Sequence, residues 1–183
     1  MIARLRREDG FGLIELITAL VIMNIAIFAL FAMFQAGVLS IARAGRTSTA
    51  AVLAEKQLEL YRGLLYQDIG LSDVLVVAAV TDSVHTSDTA EWNGGVQEIV
   101  LPPTCTPAVD RCMPVRTSVT GPDNHVYRID TYMRSVTPSS GRPVKQVTVA
   151  VRKQESNATI LAELTATFDL STGCVYGSTT APC

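Results

Sequence analysis

From Phe11 to Ala42 the chain carries one charged side chain, Glu15. A run of that length exceeds the roughly 20 apolar residues that carry a helix across a bilayer. No other feature constrains the fold as strongly. A segment apolar on every side must lie in lipid or in a bundle of its own kind. The rest of the 183-residue chain reads as one ordinary extramembrane domain. A cleaved secretory signal explains the run poorly, because its apolar core spans about 7–15 residues and a small-residue cleavage site follows it. A plain signal anchor fits the length but leaves Glu15 without a reason.

Orientation follows from the flanks. Arg4, Arg6 and Arg7 precede the run, and Arg43 and Arg46 follow it. A short basic N-terminal flank favours an N-in, C-out single pass. The downstream domain then lies outside the cytoplasmic membrane, and the cysteines agree. All four (Cys105, Cys112, Cys174 and Cys183) fall in that domain. An even count in an exported domain points to disulfides. Three pairings exist, and the short local loops Cys105–Cys112 and Cys174–Cys183 are expected. Zinc is the weaker reading, since there is no CxxC and His85 and His125 are remote in sequence.

No proline interrupts the stretch from Phe11 to about Tyr66, so one helix roughly 80 Å long is expected there. Its second half is amphipathic. Ala50, Leu53, Leu60, Tyr61 and Leu64 recur at steps of three and four, while Glu55, Lys56, Glu59 and Arg62 point elsewhere. Val74–Val80 is a short β-branched apolar run, and Gln97–Leu101 looks like a strand. Three clearer strands follow at His125–Met133, Val144–Arg152 and Ala158–Phe168. Val147, Val149 and Val151 alternate with Thr148, Ala150 and Arg152, which implies a sheet with one face buried. The fold class is therefore α+β, a long N-terminal helix whose C-terminal half packs on an antiparallel sheet.

These residues carry a family likeness. Gly10-Phe11-Gly12-Leu13-Ile14-Glu15, followed by an apolar run, resembles the type IV prepilin signature: a short charged leader ending in Gly, then Phe, with Glu at the fifth mature position. Motif-level similarity covers residues 7–35. The stretch Ala50–Arg62 looks like the second helical half of minor pilins and of type II secretion pseudopilins. The resemblance implies residues 1–10 as leader, 11–42 as the membrane and filament-core half-helix, and 43–183 as a periplasmic or extracellular domain. It implies cleavage between Gly10 and Phe11 by prepilin peptidase and N-methylation of Phe11. Glu15 becomes the assembly residue. A carboxylate in the apolar layer costs about 2.5–3.5 kcal/mol on insertion scales, and a neighbour's N-terminal amine would offset that. Other pilin subunits, the peptidase, the inner-membrane assembly platform and, before assembly, membrane lipid are the implied partners. Gly12 stands where Thr or Ser is common, and Ala32 where many major pilins have Pro. Both departures lean towards a minor pilin or pseudopilin.

Catalytic signatures do not occur: no GxSxG, HExxH, phosphate loop or EF-hand is present. The expectation is a structural protein without catalytic residues, cofactor or metal. Asp68, Asp73, Asp82 and Asp88 read as solvated loop acids rather than calcium ligands. Arg128, Arg134, Arg142, Lys145, Arg152 and Lys153 read as a solvated sheet face. A nucleic-acid groove would need more aromatic residues than Tyr127 and Tyr132, so such a partner is not expected. Asn157-Ala158-Thr159 matches a glycosylation sequon that is common by chance. The competing functions are a filament-tip adhesin or DNA-uptake subunit, acting through Val74–Cys112 and the Cys174–Cys183 loop, and a signal-anchored enzyme or sensor.

Overall fold

The computed structural model describes residues 12–87, 89–92, 96–100, 105, 109–139 and 141–170. The chain forms two compact units that divide between Ala44 and Gly45. Gly10, Phe11, Cys174 and Cys183 lie outside the described residues.

Helix α1 runs from Leu13 to Arg62, so the single long helix expected from the absence of proline is present. Gly63 follows directly, and the Leu64 amide bonds back to the Tyr61 carbonyl at 3.1 Å. In the first unit every residue of α1 is exposed. In the second unit α1 buries Ala50, Leu53, Ala54, Gln57, Leu58 and Tyr61. Those positions form one stripe of a 3.6-residue helix. Leu60, expected on that stripe, is 39% exposed, and Leu58 and the polar Gln57 take its place.

The sheet has the order β1-β2-β3-β4, all antiparallel: β1 Val115–Thr120, β2 Val126–Val136, β3 Val144–Lys153 and β4 Ser156–Phe168. The last three match the alternating segments of the sequence. The first was not anticipated. It is short, and its register shifts between Arg116 and Val119, where Ser118 takes a φ of 59°. A bulge of this kind breaks the period-two pattern that marks a strand. The β1–β2 turn needs Gly121, because a Cβ there would sit 2.8 Å from the Tyr127 ring and 2.9 Å from the Thr49 methyl of α1.

One sheet face is apolar. Val147, Val149 and Val151 pair with Met133, Thr131 and Ile129 on one side, and with Ala166, Leu164 and Ala162 on the other. The Leu53, Leu58 and Tyr61 side of α1 packs on this face, in one core with Ile129, Met133 and the three valines. The Tyr61 hydroxyl donates to the Arg111 carbonyl at 2.8 Å, and burial pushes its pKa up to about 12. Gln57 accepts from Arg116, which also holds Asp110. This network fastens the 109–112 segment to α1.

The opposite face is also covered, against the expectation of a solvated side. The β-branched run at Val74–Val80 is helical: α2 spans Asp73–Ala79, α3 Ser83–Thr86 and α4 Thr89–Trp92. Asp82 caps α3, accepting from the Val84 and His85 amides at 3.0 and 3.2 Å. The expected strand at Gln97–Leu101 is reduced to a parallel bridge between Leu71 and Ile99. Gln97 is consumed elsewhere: its Oε1 accepts from the Met133 amide at 2.7 Å and its Nε2 donates to the Trp92 carbonyl. Cys105 and Cys112 form the expected local disulfide, with Cα atoms 5.6 Å apart.

Candidate functional site

Two places concentrate unusual side chains, and each is described within its own unit. The first is the start of α1. Glu15 lies in the first turn, where a carboxylate favours the positive end of the helix dipole. Its amide bonds the Gly12 carbonyl at 3.0 Å, and Thr18 returns its hydroxyl to the Glu15 carbonyl at 2.9 Å. Both bonds are local to the helix. Leu13, Ile14, Leu16 and Ile17 around Glu15 are exposed. The segment is long and apolar enough to cross a membrane. Of the residues singled out for cleavage, methylation and assembly, Glu15 is the one that the structure describes, and it stands in an exposed apolar field.

The second place lies between β2, β3 and the α3–α4 cap. Asp130 is fully buried and accepts from four directions. Arg128 reaches it through Nε at 3.0 Å and Nη2 at 2.8 Å, Arg152 through Nε at 3.1 Å, and His85 through Nδ1 at 3.2 Å. Arg128 also holds Asp82 at 3.0 Å. Two acids thus face two guanidinium groups, which is how a buried charge cluster stays neutral. A carboxylate only accepts, so His85 Nδ1 is the donor in this bond. Burial raises the Asp130 pKa, but the bonds from His85 and Arg128 and the Arg128 charge outweigh it and hold the carboxyl below its usual range. The His85 ring stacks on Tyr132 at 4.4 Å and meets Trp92 edge-on at 5.2 Å. Tyr132 completes the clasp by donating to the His85 carbonyl at 2.9 Å.

Several sequence expectations need correction here. Arg128, Arg152 and Lys145 do not belong to a solvated face; they are buried. Lys145 donates to the Ile69 carbonyl at 2.7 Å and lies over the Tyr66 ring. Asp82 is a helix cap and ion-pair partner rather than a solvated loop acid. The reason is common to all of them. Hydrophobic patterning scores acid and base alike as polar, so it cannot see that their charges cancel inside. The sequence did hold one signal: Arg128 and Asp130 are two apart on a strand and therefore share a face.

The cluster fits a structural role. Asp130 and His85 are fully buried. Among the described residues no group of three or more His, Cys, Asp or Glu is placed to hold a metal. A groove of about 550 Å³ opens between the end of α2 and Met113–Val115 and is mainly apolar, with Asp82 in its lining.

Comparison with protein-family models, with curated proteins and with solved structures found no match for this chain.

Proposed function

We propose that the protein is a structural subunit of a type IV pilus or related filament, most simply a minor pilin, and not an enzyme. The observation that carries this reading is the contrast within α1. Its first 30 residues are apolar and exposed around one acid, while its second half closes the core of a folded domain. A helix that leaves so much apolar surface uncovered needs lipid or other helices around it. In this reading the chain inserts N-in and C-out. Prepilin peptidase cuts after Gly10 and methylates Phe11, and the assembly platform moves the subunit out of the bilayer. Glu15 then meets the amine that cleavage creates on a neighbour, which selects processed subunits and sets the stagger between them.

A type II secretion pseudopilin would use the same N-terminal logic. A surface-binding role at the filament tip draws support from one feature. Val74, Val77 and Val80 lie on one side of the 73–80 segment and are 61%, 71% and 56% exposed, within the stretch singled out for contact with other surfaces.

The test is mass spectrometry of the N-terminus of protein purified from its native membrane. A chain beginning at methylated Phe11 supports the filament reading. A chain beginning at Met1 would leave a plain signal anchor and reopen the enzyme and sensor readings.

A further inference from the structure

The face of α1 opposite Glu15 carries polar groups of its own. Asn24 lies nine positions after Glu15, two and a half turns on, and so on the other side of the helix. Gln35 follows Asn24 by eleven positions, three turns, which returns it to within about 20° of the same face. Between and around them Ile17, Leu20, Phe31 and Val38 recur at steps of three, four or their sum, and all four are exposed. The stripe is thus a coiled-coil-like seam interrupted by two carboxamides.

Asn24 lies about 16 Å along the axis from Leu13 at 1.5 Å per residue, close to the middle of a hydrocarbon layer about 30 Å thick. Its Nδ2 donates to the Leu20 carbonyl at 2.8 Å. That bond uses one of its two N–H groups, and among the described residues no donor reaches its Oδ1. A half-satisfied amide at this depth has neither water nor lipid headgroup to complete it.

We propose that this face is a docking surface for a second copy of the same chain, lying parallel in the bilayer, with Asn24 paired to Asn24. Hydrogen-bond complementarity selects the occupant. A carboxamide donates and accepts, so two of them satisfy each other reciprocally. Copies inserted in one orientation bring Asn24 to the same depth, and Gln35 comes into register one seam-length further on. A polar residue at a seam position fixes alignment between parallel helices in this way. Glu15 points away from the pair and stays free for a different neighbour. The inference rests on the membrane-spanning part of the proposed function and not on the filament. An unprocessed N-terminus would end the filament reading and leave this pairing standing.

The experiment uses the full chain in phosphatidylcholine vesicles, with donor- and acceptor-labelled copies mixed and energy transfer followed as lipid is added. The wild type associates. Asn24→Leu weakens association about three- to tenfold, the range that one or two interhelical hydrogen bonds in lipid provide. Asn24→Gln restores much of it, Gln35→Leu has a smaller effect, and Ser40→Leu, which lies off the seam on the opposite side of the helix, has none. Leu raises the apolarity of the helix at each of these positions, so loss of insertion does not confound the result. Equal association of wild type and Asn24→Leu would overturn the proposal. So would a monomeric wild type at every dilution, or a loss in Ser40→Leu as large as that in Asn24→Leu. Association seen only with a different helical subunit would also count against it, because the partner would then not be a second copy.

Discussion

The two halves of α1 share one helical backbone and answer to different surroundings. In the first half the helix is mainly apolar, and all of its described side chains are exposed. From Ala50 to Tyr61 one stripe is buried against a sheet and the other is charged. Propensity makes both halves helical. What separates them is where their apolar area goes: the second half supplies the core of its own domain, and the first supplies nothing to it. Among the described residues the core runs from Ala50 to Phe168, all in the second unit. Substitutions in the two halves should therefore separate the stability of the domain from the assembly proposed for the first half.

The sharpest way to break that separation is to attack the domain where its charges are buried. Asp130→Ala removes the carboxylate that Arg128 and Arg152 share, and a buried pair broken on one side costs about 3–5 kcal/mol. Chemical denaturation of the 43–183 domain should read this loss, while membrane insertion of the full chain is unchanged. The pH dependence has a defined sign. The Asp130 carboxyl is held below its ordinary range in the folded state, so its contribution is present above the unfolded value near 3.9 and is lost as pH falls through the lower, folded one. Asp130→Asn should flatten the acid limb of the stability curve. An unchanged acid limb would remove Asp130 from the account.

Matched truncations give the comparison its second test. Leu58→Ala should cost about 2–5 kcal/mol of domain stability, whereas Leu30→Ala, the same change in the exposed half, should alter the unfolding of the domain by no more than measurement error. A clear loss in Leu30→Ala would mean that the first half contributes to the domain after all. A smaller effect is expected at the disulfide. Replacing Cys105 and Cys112 by Ser opens a short loop, and the chain-entropy account gives about 2 kcal/mol, read as a lower denaturation midpoint. The smallest effect belongs to truncation: removing residues 1–42 should leave the thermal midpoint of the remaining domain within a few degrees of its value in the full chain.

The unequal legibility of these regions has a physical cause. The long helix announced itself through length, apolarity and the absence of proline, and β2, β3 and β4 as clear strands, with period-two alternation in β3 and β4. Strand β1 did not, because the shift at Arg116–Val119 interrupts its period. The α2 segment hid behind β-branched residues, which favour strands only where tertiary packing agrees. The charge cluster was hidden most deeply. Arg128, Asp130 and Arg152 alternate with apolar neighbours as a solvated face would, and the residues that cover them, Asp82 and His85, lie more than 40 positions earlier in the chain. The N-terminal motif stands on spacing alone: of Gly10, Phe11 and Glu15, the described residues include Glu15.

The central claim is that Glu15 acts between subunits and not within the domain. Its most direct measurement compares wild type, Glu15→Ala and Glu15→Val for membrane insertion and for presence in sheared, purified filaments. The account predicts that both variants insert with a folded domain, as hydrogen exchange of β2 and β3 would report, and are missing from the filaments. Incorporation of both variants at the wild-type level would contradict it.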